Sequence, residues 1–187
     1  SSGRVPADKG YRFFVDRILE DKIKKTNKES EVENWFDEEF QDAIKFFQSL
    51  TKKLASASQS LVFGYLAQED ISWKEGWETI LKEPEFEEKD CLVSFADFLK
   101  DLEKNIENFE INSEIKIYIG KENPFPKARN FSIIFSRCRL PARMARASVS
   151  GGPNKEEGII SLLGPKRMAY ERNIGLINSL TKILNNF

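Results

Sequence analysis

The segment from Gly158 to Leu184, GIISLLGPKRMAYERNIGLINSLTKIL, limits the architectures open to this chain more than any other. Ile159 to Leu163 is an apolar run of the length of a buried strand. Gly164 and Pro165 interrupt it, and Pro165 suits the first position of a helix, where a missing N–H costs nothing. Beyond it Tyr170, Ile174, Ile177 and Leu184 share one helical face, widened by Leu176, Leu180 and Ile183. A strand that runs into an amphipathic helix at the end of a chain needs a sheet on which the helix can bury its stripe. At its plainest the segment is a structural closing element.

Upstream the periodicity is helical. Pro6 and Asp8 are helix-start residues, followed by Tyr11, Phe14, Val15, Ile18 and Leu19 at amphipathic spacing. Gly10 costs that helix about 1 kcal/mol relative to Ala, which suggests close packing or a later start. Asp21 to Ser30 is polar and Lys-rich and reads as a loop. From Glu31 to Gln68 the residues Phe36, Phe40, Ala43, Phe47, Leu50, Leu54, Ala57 and Leu61 alternate spacings of four and three. That predicts one long helix, either the core of a monomer or a dimer seam, with Phe36, Phe40, Phe47, Leu50, Leu54 and Leu61 as the candidate interface. Trp73, Trp77, Ile80 and Leu81 predict a short helix ending before Pro84. Leu92, Phe95, Ala96, Leu99, Leu102, Ile106 and Phe109 predict another over Lys89 to Phe109.

At Ile111 the period changes to two. Ile115, Ile117 and Ile119 predict a half-buried strand, Lys121 to Asn130 a loop, and Phe131 to Arg139 a second strand. Ala142 to Ser150 reads as a further strand or an irregular edge. Ser150 to Gly158 reads as a turn, giving an antiparallel hairpin into Ile159 to Leu163. Helices first, then three or four strands, then a closing helix predict an α+β fold with an antiparallel sheet. The chain divides into residues 1–30 (a linker helix), 31–109 (a helical part) and 110–187 (sheet plus last helix), all within one domain.

Chemistry narrows what such a domain does. There is no histidine, which removes Ser-His-Asp and Cys-His nucleophilic arrangements and His-containing metal sites. No phosphate-binding glycine motif is present, and no D-x-D or paired-acid motif sits beside Gly-rich turns, so the acids read as solvated helix faces. No catalytic residue, metal ligand or cofactor site is therefore assigned. Cys91 and Cys138, the two cysteines, do not suggest a disulfide scaffold and point to a reducing cytoplasm. No stretch approaches a membrane-spanning length, and no membrane association is expected. Charge is split: residues 1–109 hold 16 Lys/Arg and 24 Asp/Glu, a net of −8, and residues 110–187 hold 13 and 6, a net of +7. This asymmetry marks either nucleic-acid or partner contact in the basic half, or two oppositely charged halves packed on each other.

Two separated motifs say more. Gly164, Pro165, Arg167, Met168 and Tyr170, in GPKRMAYERNIGLI, resemble the C-terminal signature of the HrcA family of heat-inducible transcription repressors. Gly3, Arg4, Pro6, Asp8, Gly10, Tyr11 and Arg12, in SSGRVPADKGYRFFVD, resemble the segment that follows the winged-helix DNA-binding domain of that family. Ala7 stands where the family usually has Thr or Ser, leaving Asp8 to cap the helix. The resemblance implies a GAF-like fold, a regulatory and dimerisation role, repression of chaperone genes at an inverted-repeat operator, and activity dependent on a GroEL-type chaperonin. It implies a homodimer whose operator contact comes from a winged helix that would lie before Ser1. The chain opens on Ser and reads as a piece of a longer protein. Only a few residues separate Gln68 from Trp73, where the family places GAF-like strands and the start of an inserted dimerisation domain, so the GAF-like part is expected to be shortened. Two other readings stand beside this one: a GAF-like small-molecule sensor, with Trp73, Trp77 and a one-sided sheet forming the pocket, and a helical interaction module unconnected with transcription. The two motifs are further expected to meet, with residues 1–16 in contact with residues 164–172.

Overall fold

The computed structural model describes residues 6–22, 29–36, 42–106, 115–140 and 157–186. The expected closing segment forms its middle. Ile159 to Leu163 lies in β5 (Glu157–Pro165), the central strand of a five-stranded antiparallel sheet of order β2-β1-β5-β4-β3. On one side β5 pairs with β1 (Leu61–Leu66), Leu61 opposite Leu163. On the other it pairs with β4 (Phe131–Arg139), Phe131 opposite Pro165. β2 (Ile71–Glu75) and β3 (Lys116–Ile119) are the edges. The α+β class holds, with five strands in place of three or four.

Both faces of the sheet are covered, which explains why β5 is a continuous apolar run and not an alternating one. Val62, Leu66, Ile117, Ile119, Ile134, Ile160 and Leu162 face a core roofed by helices α1 (Asp8–Lys22), α2 (Glu29–Glu33), α3 (Ala43–Ser58) and α6 (Tyr170–Asn186). Leu61, Phe63, Tyr65, Ile133, Phe135 and Leu163 face the other core, roofed by α4 (Trp77–Ile80) and α5 (Lys89–Asn105). The α4–α5 crossover carries the chain from edge strand β2 to the opposite edge β3.

The long helix expected over 31–68 is several elements. After α2 comes a 3₁₀ turn at Asn34–Phe36, and α3 is capped by Asp42, whose carboxylate accepts the Lys45 N–H at 3.0 Å. Gln59 takes a left-handed conformation (φ 52°) and ends α3. The chain then enters β1. The apolar run LVFGYL fits either period, and its β-branched and aromatic residues decide for a strand. Phe47, Leu50 and Leu54 are enclosed within the chain's own core, each at 1% exposure or less. Leu61 is buried on the opposite side of the sheet from them. The expected dimer seam therefore does not exist as one surface. Phe36 is half-buried against Phe46, and Phe40 lies outside the described residues.

Other expectations shift by smaller amounts. Trp73 is on β2, so only Trp77 to Ile80 is helical. In α5 the buried positions are Phe95, Phe98, Leu99 and Leu102, while Leu92 and Ala96 are exposed. Phe109 and the segment 142–150 are outside the described residues. Pro165 is the last residue of β5 and not the first of α6. There β1 has already ended, at Leu61 opposite Leu163, so a missing N–H costs no ladder bond on that side. The stripe of α6 is as expected: Tyr170, Ile174, Leu176, Ile177, Leu180 and Leu184 are buried and Ile183 partly so.

Phe47 holds α3 to the sheet by lying across two glycines of adjacent strands. A Cβ on Gly64 would come 3.0 Å from its ring and 2.6 Å from the Thr51 methyl, and one on Gly158 would come 2.8 Å from its ring. Phe47→Ala should therefore cost about 3–5 kcal/mol through the cavity it leaves, and Gly64→Ala about 1–3 kcal/mol through overpacking. Urea unfolding followed by circular dichroism measures both. Phe47→Glu should leave no cooperative transition, since it buries an unpaired charge.

Candidate functional site

The two sequence motifs meet at the end of the sheet where β3 stops, β4 starts and β5 stops. Asp8, in the first turn of α1, is the centre of the junction. Its carboxylate accepts the Lys166 ammonium at 2.8 Å and the Lys121 N–H at 3.0 Å. Burial alone would raise the Asp8 pKa, but these two donors outweigh it and hold the carboxyl below its usual range. Space for the carboxylate comes from Gly120, which turns the chain out of β3 at φ +56°. A Cβ there would lie 2.6 Å from Asp8 Cγ. One turn along α1, the Arg12 guanidinium grips Glu122 with two N–H groups, the Nε bond measuring 3.0 Å, and donates to the Ile117 carbonyl at 2.8 Å. The Glu122 pairing raises the Arg12 pKa further. Glu122 also accepts the Ile119 N–H at 3.1 Å.

Tyr170 opens α6 beneath this layer and is buried. Its hydroxyl donates to the Lys166 carbonyl at 2.7 Å and so receives the Ser132 hydroxyl, 2.6 Å away. Burial pushes its pKa up. Its ring packs against Tyr11, centroids 6.2 Å apart. Met168 folds over Gly164, where a Cβ would sit 3.3 Å from Met168 Cε. The expected meeting of residues 1–16 with 164–172 is thus present in Asp8–Lys166 and Tyr11–Tyr170. Arg167 is not part of it. It reaches away to the 3₁₀ turn Pro84–Glu87, with two bonds to Glu85 at 2.8 and 2.9 Å and one to Glu83. Gly3 and Arg4 lie outside the described residues, and Pro6 and Gly10 are exposed.

Magnitudes divide the labour in this junction. Val15 and Ile18 are buried beneath α1, at about 1.5–3 kcal/mol each. The partly exposed ion pairs contribute about 0–1 kcal/mol apiece. Apolar burial holds α1 down, and the directional polar groups set where along the sheet end it sits.

The same pairing accounts for the divided charge. Lys166 pairs with Asp8, Arg167 with Glu83 and Glu85, and Lys127 with Asp97 at 4.0 Å. Each of these joins the acidic half to the basic half. Arg137 faces Glu157 at 3.8 Å, and Arg143 and Arg146 are outside the described residues.

Comparison with known proteins gives the family. The family model for the HrcA protein C terminal domain matches residues 12–174. The chain belongs to the HrcA family. Curated relatives carry the name heat-inducible transcription repressor HrcA. The one from Thermodesulfovibrio yellowstonii is 33% identical over 142 residues, 74% of this chain and 36% of the relative. That from Clostridium botulinum is 33% identical over 112 residues, 60% and 29% respectively. That from Caldanaerobacter subterraneus is 24% identical over 180 residues, 96% and 48%. The chain spans less than half the length of these HrcA proteins. A crystal structure of a hypothetical protein shares the fold, with a TM-score of 0.75 at 14% identity over all of this chain and 80% of that one.

The pocket expected between Trp73 and Trp77 is not formed. Trp73 packs on Phe47 on one side of the sheet and Trp77 on Phe95 on the other, centroids 5.9 and 6.3 Å apart. A cleft of about 200 Å³ is lined by Ser58, Gln59, Ser60, Arg167 and Arg172, below the roughly 300–1,000 Å³ of ordinary ligand sites. Cys138 is buried, its thiol pushed up to about 12, and Cys91 belongs to the opposite core, where burial likewise raises it. Among the described residues no group of three His, Cys, Asp or Glu could hold a metal ion, and no helix is long and apolar enough to cross a membrane.

Sequence reasoning did not find Gly120, Glu122, Ser132, Glu83 or Glu85 as parts of the junction. Gly120, at the end of an alternating strand, carried a signal for a positive-φ turn. The acids did not, since their partners lie 82 to 110 residues away.

Two outcomes test the junction. Gly120→Ala should destabilise by about 1–3 kcal/mol, and part of that cost should vanish in an Asp8→Ala background, where the clash with the carboxylate is gone. Urea titrations of the four variants measure the coupling. The pKa of Asp8 is lowered by folding, so its stabilisation is complete above the ordinary carboxylate range and is lost as pH falls through the folded-state value. Asp8→Asn should remove that part of the acid limb, leaving a shallower fall in stability between neutral and acid pH.

Proposed function

We propose that this domain is the regulatory and assembly part of a heat-inducible transcription repressor of chaperone genes, with operator contact supplied by a winged helix elsewhere in the full-length protein. Family membership, through residues 12–174, is the observation that carries the reading. The name shared by the relatives supplies the activity, and the share of their length that the chain spans leaves room for a separate DNA-binding unit. The junction supports it physically. Asp8 and Arg12 set the place of the N-terminal end of α1 on the sheet. Regulation by a GroEL-type chaperonin, a cytoplasmic location and a homodimeric state belong to the same proposal.

Direct DNA readout by this domain has little support. Lys166, Arg167 and Arg137 lie against carboxylates, and such paired cations release few counterions on meeting phosphate.

Two measurements follow. Deleting the gene in its host should raise chaperone transcripts at ordinary growth temperature, and unchanged transcripts would contradict the proposal. The chain alone, in gel shifts at physiological salt, should show only weak, salt-sensitive binding to inverted-repeat DNA from chaperone promoters. Sequence-specific sub-micromolar binding would contradict the assignment of DNA contact to another domain.

A further inference from the structure

Around one small cleft the hydrogen-bond acceptors are taken and two donors are not. The cleft, of about 200 Å³, lies where α3 ends and where β5 hands the chain on to α6. Ser58, Ser60, Glu83, Arg167, Ala169 and Arg172 border it. At the end of α3 the Ala55 carbonyl accepts the Gln59 N–H at 3.1 Å, and the Ser56 carbonyl accepts the Gln59 side-chain amide at 2.6 Å. The Ser58 carbonyl accepts the Ser60 hydroxyl at 3.3 Å, and that hydroxyl accepts the Asn173 amide at 3.1 Å. On the opposite wall the carbonyls of Pro165, Met168 and Ala169 accept the N–H groups of Met168, Tyr170 and Asn173. Glu83 is held by Arg167, which also grips Glu85. The Ser58 side chain, by contrast, is 2% exposed and its Oγ has no partner among the described residues. Arg172 is half-buried, its Nε is enclosed and likewise without a partner, and no carboxylate among the described residues pairs with its guanidinium. Enclosed polar atoms left in this way are few in folded proteins. The Arg172 N–H also precedes the first full-turn bond of α6, from Asn173 to Ala169, so the positive end of a 17-residue helix borders the same cleft.

We propose that this cleft is a binding site for a phosphate group, with the Arg172 guanidinium, the Ser58 hydroxyl and the first turn of α6 as its ligands. Unpaired donors call for an acceptor, and an unpaired guanidinium beside a helix N-terminus calls for an anionic one. A carboxylate has two oxygens, whereas a phosphate group has an oxygen for each of the three partners. The volume sets a limit from the other side. It is below that of sites for ordinary organic ligands, so it admits a phosphate group and leaves a bulky remainder outside. Glu83 borders the cleft as well, but its carboxylate is bound to Arg167. Arg167 is committed to Glu83 and Glu85, so the charge that receives the anion is that of Arg172. A phosphate group held there ties the end of α3 to the turn Pro165–Ala169 and to α6. The site is independent of the operator contact assigned above to another domain, and its test reads neither repression nor DNA binding.

Isothermal titration calorimetry of the whole chain with potassium phosphate, against potassium chloride at matched ionic strength, tests the proposal. Direct binding is read in place of a melting shift, because phosphate stabilises folded proteins in general through exclusion from their surface. The wild type should bind phosphate saturably, one ion per chain, and should not bind chloride in this way. Ser58→Ala should weaken phosphate binding about tenfold, yet leave stability in chloride unchanged or raised, since the hydroxyl it removes has no partner among the described residues. Arg172→Ala should weaken binding at least about tenfold, and Arg172→Lys, which keeps the charge without the fork, should recover only part of the loss. Circular dichroism checks that each variant is folded, and Ser58→Ala carries the reading if the Arg172 variants melt early. A second titration with glycerol phosphate separates the sources. Binding of inorganic phosphate alone assigns the cleft to the free ion, and binding of both assigns it to the phosphate group of a small ester. A cleft that the rest of the chain itself fills gives no saturable binding of either, and that result overturns the proposal. So does phosphate binding that Ser58→Ala and Arg172→Ala both leave unchanged.

Discussion

A strand with neighbours on both edges and cores on both faces has no surface left for water, and β5 is such a strand. Its pairing with β1 and β4 joins the first half of the sheet to the second. Everything else answers to that position. Its two faces require two roofs, so α3 and α6 lie over one and α5 over the other. Gly158 admits the Phe47 ring, Gly164 admits Met168, and Pro165 ends the strand where β1 no longer needs a partner. Removing polar backbone from water on this scale is tolerable only because each ladder bond is made.

The end of β5 is also where the domain meets its first helix. Burial of Val15 and Ile18 holds α1 to the sheet, while Asp8 and Arg12 fix its place through Gly120, Lys121, Glu122 and Lys166. The same surface that receives these groups is ordered from below by Tyr170 and Ser132. Position at one end of α1 is thus tied to the closing turn of the chain, more than 150 residues away in sequence.

How much of this was legible in the sequence follows from the range of the interactions. The stripes of α1 and α6, the strand Phe131–Arg139 and the buried run Ile159–Leu163 rest on local periodicity and were readable. The end of α3 was not, because LVFGYL continues an apolar pattern and the left-handed Gln59 gives no sequence warning. That one miss concealed β1 and β2, reduced a five-stranded sheet to an expected three or four strands, and made a dimer seam out of residues that face opposite cores. Phe14 was taken for a core residue because it fits the inward stripe equally well; only the sheet's position shows that it faces out. The HrcA motifs were legible as patterns, and their meeting at one junction followed, but Glu122, Glu83 and Glu85 could be recognised only once folding had brought them to Arg12 and Arg167.

The central claim is that α1 is an integral, seated part of this domain and not a loosely attached connector. Native-state hydrogen exchange of the intact chain tests it most directly. The account predicts that the amides of Val15, Ile18 and Leu19 in α1 are protected to the same order as those of α6, since both helices roof one core and open with it. Exchange of the α1 amides at unprotected rates, while β5 and α6 stay protected, would contradict it.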